Sequence, residues 1–187
     1  KKMEEAGQRM ESAQASGDTA AAGKAAADVM GAMMGGNGVP FTSQELKSWL
    51  PEKLGGMVRE SFEVQSGATM GIVGSTAHAT YAGDDQQIRL TITDIGGLGG
   101  LMGIAAWANM TVDKESNGQV EKVYKQGQRT IREEYRKDGS QAEYTVVLGN
   151  GLIVELQAEQ SNIDKVKQAM SGVDLGKMEG AQRPPKS

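Results

Sequence analysis

Two side chains in this 187-residue chain have a type and a setting suited to chemistry, Asp94 and His78. Asp94 continues the inward phase of Ile88, Leu90 and Ile92, yet it is charged. Either it ends the strand and accepts hydrogen bonds from the following loop amides, or it is a functional carboxylate at the strand mouth. Acid–base work would need a second convergent group, which the sequence does not identify. His78 is the only histidine, so a His₂ or His₃ metal site within one chain is excluded. A Ser-His-Asp triad would have to use His78. The nearby Gly71-Ile72-Val73-Gly74-Ser75 does not fit the G-x-S-x-G elbow. Alternation with Thr76 and Thr80 sets His78 on the polar face of a strand. Cysteine is absent, which removes disulfides, thiolate metal sites and Cys nucleophiles together. No EF-hand-like loop appears either, and neither a metal nor a cofactor is expected.

The other candidate is the glycine-rich run at 94–110, apolar almost all the way round. It holds no G-x-G-x-x-G in register, and no Lys-Ser or Lys-Thr follows as a phosphate-binding loop requires. Amides at a helix start can still hold an anion. Gly99 and Gly103 lie one helical turn apart, so a backbone without Cβ atoms there can approach a sheet closely. The expectation is a loop feeding a buried helix on a sheet. Asp94, Gly97, Gly99, Gly100, Gly103 and Trp107 are its candidate ligand- or partner-binding residues, with Trp107 either in the core or at a pocket lip.

These groups need a scaffold. Thr42 and Glu45 have capping-box spacing, and Leu46, Trp49 and Leu50 follow on one helical face before Pro51 stops the helix. From Met57 the apolar period becomes two, with Val58, Phe62 and Val64 on one face. The next strand, at 72–81, sets Val73, Ala77, Ala79 and Tyr81 inward, and the third is carried by Ile88, Leu90 and Ile92. Past the glycine-rich run, Asn117-Gly118, Asp138-Gly139 and Asn150-Gly151 mark hairpins, because type I′ turns need positive φ at both central residues. Four strands follow, at 120–125, 129–136, 142–148 and 152–156. Alternating signs over 114–138 read as a solvated hairpin face. A last helix opens near Ser161 and buries Ile163, Val166, Met170 and Val173.

The fold class expected is therefore α+β: an antiparallel sheet of about seven strands, in the order three strands, helix, four strands, covered by helices. Residues 1–38 form an Ala/Gly/Met-rich helical or disordered arm, 39–176 the globular domain and 177–187 a frayed tail. The order of elements resembles the α/β/α sandwich of the PsbP and Mog1 type, which implies helices on both sheet faces. Lys1-Lys2-Met3-Glu4-Glu5 and the Ala/Gln/Ser/Gly stretch after it resemble the spacer that follows the lipidated cysteine of bacterial lipoproteins. That resemblance implies a membrane tether upstream of Lys1 and a periplasmic or outer-envelope location. The start at Lys1 without Met fits a removed signal peptide or the trimming of a longer chain.

A net charge of −4, with basic and acidic residues interspersed, argues against nucleic acid as a partner. The expectation is a non-enzymatic cell-envelope binding or interaction module for a protein or a small apolar ligand. One alternative is a small hydrolase-like enzyme using Asp94 and His78 near one pocket; another is a cytoplasmic structural adaptor.

Overall fold

The computed structural model describes residues 39–69, 72–83, 86–94 and 110–183. Nine strands are described: β1 (Lys53–Leu54), β2 (Met57–Thr69), β3 (Ile72–Gly83), β4 (Gln86–Asp94), β5 (Val112–Ser116), β6 (Gln119–Gln126), β7 (Arg129–Arg136), β8 (Gln141–Val147) and β9 (Leu152–Glu159). They form one sheet in the order β1-β2-β3-β4-β9-β8-β7-β6-β5, antiparallel throughout. Two meanders, β1 to β4 and β5 to β9, thus join through their innermost strands β4 and β9. The described helices are short: α1 (Ser43–Ser48), α2 (Ile163–Met170) and α3 (Leu175–Glu179).

This corrects the expected fold class. The chain is mostly sheet, with nine strands in place of about seven, and the described helices cover one face rather than sandwiching the sheet. Two strands lack the signal that betrays the others. β1 has two residues between Pro51 and a turn, too few to show a period. β5 is Val-Asp-Lys-Glu-Ser, exposed at its last four positions. It is an edge strand guarded by charge against further pairing, so it has no apolar face to read.

One strand phase carries the core. Ala77, Ala79 and Tyr81 of β3, Ile88, Leu90 and Ile92 of β4, and Leu152, Val154, Leu156 and Ala158 of β9 are all buried on one side. Phe41, Leu46, Trp49, Val166, Ala169, Met170 and Met178 join them in one cluster, so all three helices lie on that side. Phe41 and Trp49 meet edge to face at 5.1 Å. Burying a Leu or Phe side chain contributes roughly 1.5 to 3 kcal/mol, so this cluster supplies the main driving force.

The local signals for α1 hold. Thr42 Oγ1 accepts from the Glu45 amide at 3.3 Å, and the Glu45 carboxylate accepts from the Thr42 amide at 2.7 Å. After Pro51, Gly55 and Gly56 make the two-residue β1–β2 turn with φ of +58° and +87°, values an L side chain adopts only under strain. The face expected for β2 needs one correction. A bulge between Arg59 and Ser61 shifts the register, so Val58 opposes Ala82 while Phe62 opposes Ala79. One inserted residue reverses the pleat, and Val58 leaves the face of Phe62 and stands exposed.

Packed structure continues past residue 176. Met178 of α3 is fully buried, and the part-buried Arg183 is tied to the buried Asp94 carboxylate.

Candidate functional site

Asp94 is still strand: it pairs with Ser75 on one side and Leu152 on the other. Its side chain is wholly buried on the helix face. The Phe41 amide donates to Oδ2 at 2.7 Å, and Arg183 donates through Nη1 to Oδ2 at 3.0 Å and through Nη2 to Oδ1 at 2.7 Å. Arg183 Nη2 also donates to the Asn150 carbonyl at 2.7 Å, and its guanidinium lies 4.6 Å from the centre of the Phe41 ring. Ser75 Oγ donates to the Phe41 carbonyl at 2.8 Å. Asp94 therefore clasps the segment entering α1, the end of β4 and the segment leaving α3. A fork-to-fork Arg–carboxylate pair of this kind fixes geometry.

His78 is on the other face. Its phase is opposite to that of Ala77 and Ala79, and its Nδ1 lies 3.1 Å from Thr91 Oγ1. Asp94 and His78 thus do not converge on one pocket. The remaining candidates, Gly97, Gly99, Gly100, Gly103 and Trp107, lie outside the described residues, as does the buried helix expected there.

The face bearing His78 is polar over much of its area. His78, Thr80, Arg89, Thr91, Glu155 and Gln157 border a shallow hollow of about 650 Å³. Next to it Arg132 binds Glu143 at 2.9 Å and Glu121 at 3.2 Å, and it also pairs with Glu134. Burial, and after it the nearby Glu143, pushes the Glu155 carboxyl above the usual carboxylate range, while Arg132 pulls it back. Towards one end of this face Val123, Thr130, Thr145 and Val147 are buried, while Arg132, Glu134 and Glu143 stay part-exposed.

A second open hollow, of about 520 Å³, lies on the helix side between β6–β8 and the turn linking α2 to α3. Sequence and packing explain its place. α2 is capped by Asn162, whose side chain accepts from the Lys165 amide at 3.0 Å, and it lays Ile163, Val166, Ala169 and Met170 on the sheet. The chain turns at Ser171 to Val173 and restarts as α3, capped by Asp174. Ile131, Val146, Met170 and Val173 form a packed, almost wholly buried floor beneath the hollow, and Arg129, Tyr144 and Lys167 bring polar atoms to it.

Those polar groups are anchored from behind. Glu133 is buried on β7, and its Oε1 accepts from the Tyr124 hydroxyl at 2.6 Å and from Lys167 Nζ at 2.7 Å. Arg129 donates to both oxygens of Glu179 on α3, each at 2.7 Å, and this holds the Glu179 carboxyl below its ordinary range. Burial raises both tyrosine hydroxyls, Tyr124 and Tyr144, with Glu133 adding to each. Both stay protonated at neutral pH and act as donors. The hollow thus presents fixed polar groups above a packed apolar floor.

Among the described residues no cluster of three or more His, Asp or Glu could hold a metal ion, and no helix is long and apolar enough to cross a membrane. No protein-family model, curated protein or solved structure matches this chain.

The cavity residues escaped the sequence reading, although one signal was present. Glu133 shares the phase of Ile131 and Tyr135, so an inward carboxylate could be read from alternation alone. Lys167 flanks the stripe of Ile163, Val166 and Met170. No spacing rule ties Arg129 to Glu179, fifty positions away, and only the packing of α3 unites them.

Proposed function

We propose that this protein is a non-enzymatic binding module that takes a small molecule in the cavity beneath the α2–α3 turn. The observation that carries this is the hollow itself: about 520 Å³, with anchored polar side chains above a packed floor, is within the usual size of a small-ligand site. The polar groups already have partners, so the site keeps its shape without a ligand and little ordering cost opposes binding. The arm of residues 1–38 supports an envelope setting by its Ala/Gln/Ser/Gly composition, with the domain held off a membrane. Cell fractionation of the native host tests that setting, and recovery only from the cytosol overturns it.

The binding claim is tested by a ligand-observed NMR screen of a fragment collection against the wild type and Ser171→Trp, which sets an indole at the cavity wall. Hits that bind the wild type and are lost in the variant support the module. An empty screen, or hits indifferent to Ser171→Trp, overturns it.

A further inference from the structure

We infer that the open edge of β2 is a homodimer interface, on which a second copy of this chain lays its own β2 antiparallel and extends the sheet. β1 covers only the start of β2, with Leu54 opposite Met57 and Lys53 opposite Val58, and the Arg59 amide donates to the Glu52 carbonyl at 3.0 Å. The bulge between Arg59 and Ser61 follows. From there the pairing with β3 is unbroken, from Ser61 opposite Thr80 to Thr69 opposite Ile72. Along that length no strand lies on the other side of β2 among the described residues. Such a row of unpaired amides and carbonyls is a template for another strand. The opposite edge of the sheet is guarded, because β5 has five residues and exposes Asp113, Lys114 and Glu115. Residues 61–69 hold one charge, Glu63, and no proline.

The limits of this segment fix the occupant and its register. The bulge and β1 bound one end, and β3 begins at Ile72 beyond the other. A two-fold axis through Gln65 matches the whole segment to itself. Ser61 then meets the partner's Thr69, and Glu63 meets the partner's Gly67. The two Glu63 carboxylates fall four positions apart, about 13 Å along the strand, beyond the ~8 Å screening length of physiological salt. Nine opposed pairs in an antiparallel ladder make about eight to ten hydrogen bonds. Phe62 stands beside this ladder on the face of Ala79, and 45% of it is exposed. Lys47 Nζ lies 4.8 Å and the Arg59 guanidinium 5.2 Å from the centre of its ring. A strand laid along β2 takes part of that ring out of water. Pairing β2 on β5 would instead build an open filament, which the β5 charges oppose. Two-fold pairing uses the one open edge and ends growth there. The interface does not depend on the binding proposal above.

The test is sedimentation velocity of the full chain over a concentration series. The wild type should show a monomer–dimer equilibrium with a dissociation constant below about 1 mM. Gln65→Lys and Gln65→Glu each set like charges against each other at the two-fold axis, and each should weaken the dimer at least about tenfold. Gln65 is exposed, so both variants should keep the wild-type circular dichroism and cooperative unfolding. An equal mixture of the two should dimerise again, because opposite charges then face each other. Lys114→Glu on β5 should leave the equilibrium unchanged. A wild type that stays monomeric at about 1 mM overturns the homodimer and leaves the edge to a strand from another protein. A dimer indifferent to both Gln65 variants, a mixture no better than either variant alone, or a dimer weakened by Lys114→Glu overturns it as well.

Discussion

Replacing Arg183 by Met should destabilise the fold far more than its place near the chain end suggests. Met keeps the stem of the side chain and removes the guanidinium. The Asp94 carboxylate, with no exposed surface, then loses both Arg183 bonds, and the Asn150 carbonyl loses its 2.7 Å donor. Breaking a fully buried pair from one side costs about 3 to 5 kcal/mol. The Arg183 side chain keeps 17% of its surface exposed, which places the expectation near the low end, about 3 kcal/mol. For a domain of this size each kcal/mol moves the midpoint by about 2 to 4 °C, so Tm should fall by about 6 to 12 °C. Thermal and urea unfolding at low and high salt measure this. A buried pair is screened little, so the loss should persist in salt. Adding Asp94→Asn should recover part of the loss, because a neutral amide needs no counter-charge in place of Arg183. A loss under about 1 kcal/mol, or one that vanishes in salt, would refute the clasp as a buried ion pair.

Glu155→Gln should stabilise the protein at neutral pH. A carboxyl raised in the folded state contributes stability below its ordinary pKa and loses it as pH rises through the folded value, so the variant's advantage should fade towards about pH 4; equal melting curves at pH 7 would count against this. Tyr124→Phe removes a donor from buried Glu133 and should cost about 1 to 2 kcal/mol in urea unfolding, and an unchanged midpoint would show that the bond contributes nothing. Gly55→Ala meets Ala169 Cβ at 3.2 Å in a left-handed turn, whereas Gly118→Ala has the same sign of φ and nothing within 4 Å. Gly55→Ala should therefore lower Tm more, both costing about 1 kcal/mol or more from φ alone, and the reverse order would contradict the packing described for the β1–β2 turn.

The sequence was legible where a period or a turn signal acts locally. β4 alternates Ile88, Leu90 and Ile92 without a break, and the structure buries all three. The Asn117-Gly118 turn has positive φ at both residues, as its type requires. Legibility failed where the deciding interaction was long-range. The pairing of β4 with β9 makes one sheet out of two meanders, and no local feature announces it. The role of Asp94 was half visible: its inward phase was clear, but its partner Arg183 is 89 positions away in a stretch expected to fray. β5 and the β2 bulge were missed because charge and a single inserted residue each erase the period-two pattern.

The central claim, that the cavity beneath the α2–α3 turn is where this protein binds, is tested most directly with methionine-methyl-labelled protein. Met170 is in the cavity wall, while Met110 is exposed and is not among the lining residues. Titration with a hit from the fragment screen should shift the Met170 methyl resonance in a saturable way and spare Met110, and Ser171→Trp should abolish the shift. A saturable ligand that leaves Met170 unmoved would contradict the assignment of the site.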